Sequence, residues 1–410
     1  MAAPRCPENS PVYCEKDTLS RGLCVPTATD CNSRINSPRN IPILNVNPLG
    51  ARYGYLNSPD IGKHCYYTNE TMPLNYSATF EGEEVPANFS CLTYNIWGLA
   101  KNKDFQRLFN LRKPLLERTI DTLDADMLCL QEMSSYSYEN LRDVFSKYKF
   151  ASEVPYPTNA VAKRNRGADV YFLSKYRPSG IYIYGVQGVL GYSNALMVVE
   201  YPNLLVFNLY SQAGSKASPG QSEKWLHYSR CRYDILQSVY DLISSKFSGA
   251  RQVIICGDFN FDLDGNNETW PEMEMIDRFK ADGFIDSFRK ANPMDPGFTE
   301  DTNLNKMRWN YKLTEKLYRY DAILYKGPLK VKKSEVIGLE EACMSTEDSE
   351  WFMDKFSGIT ADRISELKMC GENQLPINPS DHFGVLSTFG PRTGGSRKTR
   401  RRLTNLSLKR

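Results

Sequence analysis

The sequence is short of several things, and each shortage narrows what it can be. No apolar run approaches the roughly 20 residues that a membrane-spanning helix needs. The first ten residues, M-A-A-P-R-C-P-E-N-S, have none of the apolar core of a secretory signal. Histidine occurs only three times in 410 residues. There is no G-x-S-x-G elbow, Walker loop or G-x-G-x-x-G turn, so acyl-transfer, nucleotide-triphosphate and dinucleotide chemistry lose their usual signatures. The cysteines match no zinc spacing, and no His/Cys cluster is apparent along the chain. No internal repeat is found.

What is present suits a folded enzyme-sized chain. Apolar residues make up 41% and charged residues 24%, which fits a packed core. The length fits one large α/β domain with appendages. Residues 1–88 are rich in Pro, Asn, Cys and Tyr without sustained periodicity, and read as an irregular N-terminal extension. Cys6, Cys14, Cys24, Cys31 and Cys65 crowd this extension. They suit either a disulfide-stapled cap or plain thiols. Cys91, Cys129 and Cys256 fall in apolar runs and read as core residues. Asn-X-Ser/Thr occurs at Asn69, Asn75, Asn88, Asn267 and Asn405, a triplet common by chance.

The charge is uneven. The whole chain carries +3, yet residues 391–410 hold eight Lys/Arg and no acid, which leaves −5 for the rest. This Gly/Ser/Thr-rich tail reads as disordered, and as either a solvated end or a binder of phosphate or an import receptor. Arg400, Arg401 and Arg402 are its densest cations.

Regular alternation begins near residue 89. Apolar runs at 91–96, 127–130, 169–173, 195–200, 204–210, 252–256, 320–325, 331–337 and 385–389 read as strands. Leu115, Leu116, Ile120 and Leu123 mark a helix with Pro114 in its first turn. Ile235, Leu236, Val239, Leu242 and Ile243 mark a second helix. Thr269 and Glu272 form a capping box for a third, with Gly283 as its stop.

The chemistry-bearing residues sit where these runs end. The stations are Asn95, Glu132, Asp258 with Asn260, Asp321, and Asp381 with His382. Open α/β sheets place ligands at such edges. A carboxylate and a carboxamide at 258 and 260 suit holding and activating a water, although a plain Asp-Asn turn is also consistent. Oxygen ligands such as Glu132 suit Mg²⁺, which binds one or two carboxylates and keeps waters that a phosphate displaces. His64 lies in the extension, and His227 falls among Trp225, Leu226 and Tyr228 as a structural residue. His382 is the histidine placed to meet a phosphate, with Asp321 to fix its tautomer and favour the cation.

Five stretches together carry a resemblance. They are L-T-Y-N-I-W-G (92–98), D-M-L-C-L-Q-E-M (126–133), G-D-F-N (257–260), Y-R-Y-D-A-I-L-Y (318–325) and P-S-D-H-F-G (379–384). In this order they resemble the endonuclease/exonuclease/phosphatase superfamily, the DNase-I-like fold. The resemblance implies an α/β four-layer sandwich: two mixed β-sheets flanked by helices. The catalytic domain would span 89–390, between the extension and the basic tail at 391–410. It also implies roles. Asn95 and Glu132 help hold Mg²⁺ (or Mn²⁺), Asp381 supports the metal or phosphate side, and Asp258 orients and deprotonates the attacking water. Asn260 contacts the phosphate. His382, paired with Asp321, neutralises phosphoryl oxygens. Many members carry a histidine where this chain has Tyr210; apurinic endonucleases of the superfamily use a tyrosine. A phenol can donate to phosphate but cannot carry protons near neutral pH. A packed strand-end aromatic is the other reading of Tyr210.

The back half is similar to tyrosyl-DNA phosphodiesterases and the front half to neutral sphingomyelinases. Trp309 suits either stacking on a base or packing in the core. The first expectation is therefore a Mg²⁺-dependent phosphodiesterase that binds DNA through its active-site face and basic tail. It would act inside the cell, with the nucleus suggested by the tail and a secretory route left open. A lipid phosphodiesterase of the sphingomyelinase kind is the second. A non-catalytic binding protein on the same fold is the third.

Overall fold

The computed structural model describes residues 12–16, 21–25, 51–53, 66–68, 74–100, 102–152, 169–188, 191–214, 222–265, 271–308, 315–356 and 370–391. Two mixed sheets dominate it. The first is built from β1 (Phe89–Asn95), β2 (Met127–Met133) and β3 (Asp169–Ser174). The second draws on β4 (Gly180–Gly188), β5 (Gly191–Glu200), β6 (Leu205–Tyr210), β7 (Val253–Asp258) and β8 (Asp321–Lys326). The chain then returns to the first sheet with β9 (Leu329–Ile337) and β10 (Gly384–Pro391). The first sheet runs β9-β10-β1-β2-β3 and ends on Phe150–Ala151. In the second, Ile285–Asp286 precedes the run β8-β7-β6-β5-β4. The pairs β1–β2 and β6–β7 are parallel and the remaining neighbours antiparallel.

Helices pack against the sheets and, in part, on one another. They are α1 (Lys103–Leu123), α2 (Ser135–Phe145), α3 (Ser222–Ser244), α4 (Pro271–Ala281), α5 (Ser287–Ala291) and α6 (Thr346–Lys355). Period-2 alternation assigns each strand residue to a layer. On β6, Leu205, Phe207 and Leu209 face α3 and α4. Val206 between them meets Ile254, Cys256 and Cys91 in the layer between the sheets. Leu92, Tyr94, Leu128 and Leu130 pack on α1 and α2. These three apolar layers make the expected four-layer sandwich. Each fully buried Leu, Ile or Phe adds about 1.5–3 kcal/mol over its exposed state, so the layers dominate the fold's stability.

Several local expectations shift. Helix α1 starts about two to three turns earlier than the apolar spacing suggests, because Asn102 caps it by accepting from the Phe105 N–H at 3.0 Å. Pro114 therefore lies inside the helix rather than in its first turn. Its missing N–H deprives the Asn110 carbonyl of a partner there, a cost the two packed faces of α1 outweigh. Glu272 stands in the first turn of α4, but its carboxylate faces Arg232 of α3 at 2.8 Å in a buried ion pair; Thr269, its expected capping partner, lies outside the described residues. Part of the segment read as irregular is sheet: Leu74–Thr79 and Tyr66–Thr68 both pair antiparallel with β4. Strand β4 itself has no clear sequence signal, because Gly185 breaks the run and Gly180 and Gly188 bound it.

The fold also gathers what the sequence scatters. Cys91, Cys129 and Cys256, on β1, β2 and β7, are buried free thiols whose sulfurs lie within 4.8 Å of one another. Spacing gave no hint of a cysteine cluster, because the contact is made by strand pairing. Cys343 and Cys370 form a disulfide, and Cys231 is also disulfide-bonded. Among the described residues no helix is long and apolar enough to cross a membrane.

Candidate active site

Strand register brings the polar stations to one edge. Tyr210 and Asp258 are partners in the parallel pair β6–β7, and Asp258 stands opposite Asp321 in the antiparallel pair β7–β8. Asn95 ends β1, and Asp381 and His382 immediately precede β10, which pairs with β1. Gly257 is required by this packing. A Cβ there would lie 1.9 Å from the Leu209 carbonyl oxygen, and its φ of +149° disfavours other residues.

Backbone strain concentrates at the site. Glu132, Asn260 and Trp97 all have positive φ, at 56°, 57° and 45°. Such conformations persist in non-glycine residues only when the surroundings enforce them. At Glu132 the register of β2 against β3 shifts between Leu130 and Met133. A left-handed residue within a bulge re-aims a side chain. Arg112, buried on α1, pins two of the loops. It donates to the carbonyls of Trp97 (2.7 Å), just after β1, and of Pro379 (2.6 Å), just before Asp381.

The contacts divide the residues into roles. Asn95 Nδ2 donates to Glu132 Oε1 at 3.3 Å and to Asp258 Oδ2 at 3.0 Å, and so couples two carboxylates. Tyr210 Oη donates to Glu132 Oε1 at 2.8 Å. The Asn260 amide N–H donates to Asp258 Oδ1 at 2.8 Å, and its side-chain Nδ2 donates to Asp258 Oδ2 at 3.1 Å. The His382 ring has Nδ1 at 2.9 Å from Asp321 Oδ2 and Nε2 at 3.9 Å from Asp258 Oδ2. Glu132, Asp258 and His382 thus share one small volume, with Asn95, Asn260, Tyr210, Asp321 and Asp381 around it.

Tyr210 and Asn260 make contacts within the site that the sequence does not show. Tyr210 Oη donates to Glu132, and Asn260 donates to Asp258 and, through Nδ2, to the Ser211 carbonyl at 3.1 Å. The reason is local: both are held at strand ends directly beside Glu132 and Asp258. Trp309 and Arg400, Arg401 and Arg402 lie outside the described residues.

Electrostatics follow from burial. Burial pushes Asp258 up to about 7, with Asp321 adding and His382 opposing. For His382, burial works against the cation, but the carboxylates of Asp321 and Asp258 outweigh it and hold the ring at about 9. Burial and the Asp381 carboxylate raise Glu132, and Tyr210 sits far above the usual phenol range for want of solvent and because Glu132 and Asp258 are near.

Glu132 Oε2 and Asp381 Oδ1 are buried and have no hydrogen-bond partner in the protein. Such atoms are costly unless another ligand satisfies them. A hard divalent ion prefers carboxylate oxygens, so Glu132 and Asp381 fit Mg²⁺ or Mn²⁺, while the Asn95 amide oxygen accepts from the Trp97 N–H at 3.0 Å. Asp258, Asp321 and His382 also lie within 4.8 Å of one another. That trio suits such an ion less well, since it includes an imidazole whose Nδ1 is already bound to Asp321.

The sequence missed one residue of the site, Arg308. Its Nη2 lies 2.9 Å from His382 Nε2 and its Nη1 3.2 Å from Asp381 Oδ2. Only its neighbour Trp309 stood out in the sequence. An isolated Arg in an irregular stretch carries no local signal.

The sequence profile of the Endonuclease/Exonuclease/phosphatase family matches residues 92–382, well over half of the chain. The chain belongs to that family. Members of the family are generally hydrolytic enzymes. None of the curated protein sequences matches this chain. Among solved structures, SmcL is 15% identical with a TM-score of 0.50, over 74% of this chain and 99% of that one. TDP2 from Caenorhabditis elegans is 18% identical with a TM-score of 0.46, over 74% and 75%. The beta toxin of Staphylococcus aureus is 15% identical with a TM-score of 0.48, over 73% and 99%. At 15% identity the likeness to SmcL speaks for the fold alone. The family's matched span opens at the strand bearing Asn95 and closes on His382, so every site residue described above falls inside it or, like Asn95 and Asp381, near its ends.

Proposed function

We propose that the chain is a divalent-metal-dependent phosphodiesterase that attacks the phosphorus with water. The observation that carries this reading is the pairing of two kinds of group at one strand edge. Buried carboxylate oxygens without protein partners lie beside His382, which is hydrogen-bonded to Asp321 and has Nε2 3.9 Å from Asp258. Asp258, raised to about 7 by burial, is suited to accept a proton from water near neutral pH. Asn95 and Asn260 fix its orientation by donating to its oxygens. His382, held by Asp321, presents Nε2 towards the same space and would donate to a phosphoryl oxygen as charge develops. Glu132 and Asp381 would hold the metal, which when bound supplies charge stabilisation to the phosphoryl group. Tyr210 would act through Glu132, occupying Oε1 and leaving Oε2 for the ion.

For the substrate we propose nucleic acid, with the basic tail as an added phosphate contact. The eight Lys/Arg of residues 391–410 support this reading. Such binding would fall with salt, with a log–log slope of about −0.9 per phosphate contact on duplex DNA. A specific observation favours a second reading, a phospholipid phosphodiesterase. Cys343–Cys370 and the bonded Cys231 are characteristic of proteins from oxidising compartments, not of the cytosol or nucleus.

One panel tests both. It contains 5′-tyrosyl DNA, abasic duplex, plain single- and double-stranded DNA, and sphingomyelin, each with Mg²⁺ and with chelator. Asp258→Ala is the blank. Cleavage confined to the nucleic acids supports the first reading, and cleavage confined to sphingomyelin the second. Turnover that persists in chelator would defeat the metal-dependent mechanism itself.

A further inference from the structure

We propose that Arg308 is a substrate-binding residue of this site, gripping a phosphoryl oxygen jointly with His382. The inference rests on the phosphodiesterase reading and adds to it a group that no family motif marks.

The position of Arg308 is built into the fold. Asn305 organises the turn that carries it: its Nδ2 donates to the Ser380 carbonyl at 3.0 Å, and its Oδ1 accepts from the Met307 N–H at 2.8 Å. The Arg308 N–H closes the turn on the Asn305 carbonyl at 3.1 Å. The Lys306 N–H donates to Asn378 Oδ1 at 2.7 Å, and Met307 is fully buried against the face of α1. Asn305 and Lys306 are thereby fastened to the segment that delivers Asp381 and His382. The guanidinium itself bridges that segment. Its Nε donates to the Asp381 carbonyl at 3.0 Å, its Nη1 lies 3.2 Å from Asp381 Oδ2, and its Nη2 lies 2.9 Å from His382 Nε2. The side chain is 19% exposed, so it is not sealed in the core.

The chemistry of this contact is informative. A guanidinium has donors and no acceptor. His382 donates Nδ1–H to Asp321 Oδ2, and to serve a phosphate it must donate from Nε2 as well. In this structure the Arg308 guanidinium donates to His382 Nε2, and an incoming oxygen that displaces this contact leaves both groups free to donate to it. An oxygen with several lone pairs and negative charge satisfies both at once, and a non-bridging phosphoryl oxygen is such a group. Glu300 Oε2, 3.7 Å from Nη2, and Asp381 Oδ2, 3.2 Å from Nη1, hold the fork by ion pairing. The fork-shaped cation is matched to phosphate better than an ammonium would be.

The test compares wild type, Arg308→Ala, Arg308→Gln and Arg308→Lys. Two quantities are read: binding of inorganic phosphate by calorimetry in the presence of Mg²⁺, and kcat and KM for bis(4-nitrophenyl) phosphate. Loss of a charge-assisted hydrogen bond predicts phosphate binding weakened about tenfold to a hundredfold in the alanine and glutamine variants. KM should rise by a similar factor, and lysine should recover part of both. Should alanine unfold the chain by freeing Asp381, the glutamine variant carries the test with the same criteria. Phosphate binding and KM equal to wild type in a folded Arg308→Gln protein would overturn the proposal. The two readings fail separately. A wild type that hydrolyses no diester, but whose phosphate binding needs Arg308, would sink the catalytic reading and leave the anion site. Diester turnover indifferent to Arg308 would do the reverse.

Discussion

The two sides of the site are built on different terms. On the proton-handling side nearly every atom is engaged: Asp258 accepts on both oxygens, and His382 is held at one nitrogen by Asp321 and approached at the other by Arg308. Across the site, Glu132 and Asp381 each keep a buried oxygen without a protein partner. Saturated contacts fix the direction of a lone pair or a proton, which is what proton transfer demands. Unsatisfied carboxylates destabilise the protein alone and gain from an ion, which is what ligand binding demands. Asp321 falls between the two, with Oδ2 on the histidine and Oδ1 unpartnered. The contrast teaches that the site is differentiated by hydrogen-bond saturation rather than by residue type, since carboxylates stand on both sides.

The largest effect should come from breaking the saturated side. Asp258→Ala removes the proton acceptor and the anchor of Asn95 and Asn260. General-base contributions run to about 10²–10⁴-fold, so kcat should fall by about a thousandfold. Circular dichroism and thermal melting should show a folded protein, because the removed charge was itself buried and uncomfortable. A variant that turns over at the parental rate would take Asp258 out of the mechanism and erase the distinction between the sides.

Breaking the other side should read out in metal rather than in rate at saturation. Glu132→Gln keeps the carbonyl oxygen that can accept from Tyr210 and Asn95 but removes the anionic oxygen. The Mg²⁺ concentration for half-maximal activity should rise roughly tenfold to a hundredfold, with calorimetric Mg²⁺ binding weakened in step. An unshifted Mg²⁺ titration would mean that the ion sits instead among Asp258, Asp321 and His382.

How much of this contrast was readable beforehand depends on range. The strands, the sandwich and the stations at 95, 132, 258, 321 and 381–382 have local signals, because an apolar run ending in a polar residue is visible within ten residues. The Asp321–His382 contact could be named because both belong to matched stretches. The roles of Asn260 and Tyr210 could not, since what a side chain donates to depends on which carboxylate the register sets beside it. Arg308 and the Cys91–Cys129–Cys256 cluster were invisible for the same reason, their neighbours being supplied by chain many residues away. The pairing of Glu272 with Arg232 likewise has no local signal.

A subtler test uses pH and touches only the saturated side. His382 is held at about 9, above the ordinary value of 6.5, because the attraction of Asp321 and Asp258 exceeds the cost of burial. A raised folded-state value means that the charged histidine stabilises the fold fully below about pH 6.5, and that this contribution is lost as pH climbs through 9. The melting temperature should therefore decline across that window in the metal-free protein. In His382→Gln the decline should be shallower. Parallel profiles for the two proteins would show that the ring is neutral in the fold, and that the Arg308 contact rather than the carboxylates governs it.

The smallest expected effect separates support from packing at Tyr210. Its hydroxyl donates to Glu132 Oε1, the oxygen turned away from the proposed ion, and its ring packs against both core layers of the second sheet. Tyr210→Phe keeps the ring and removes the donor. One lost hydrogen bond to a charged acceptor corresponds to about 1.5–3 kcal/mol at most, and Asn95 still holds the same oxygen, so the penalty should fall below that range. The prediction is a Mg²⁺ requirement raised a few-fold, with kcat at saturating Mg²⁺ and the melting temperature nearly unchanged. A loss of kcat that Mg²⁺ cannot restore would place the hydroxyl on the phosphate instead, and would move Tyr210 from the metal-holding side of the site to the side that handles charge in the reaction.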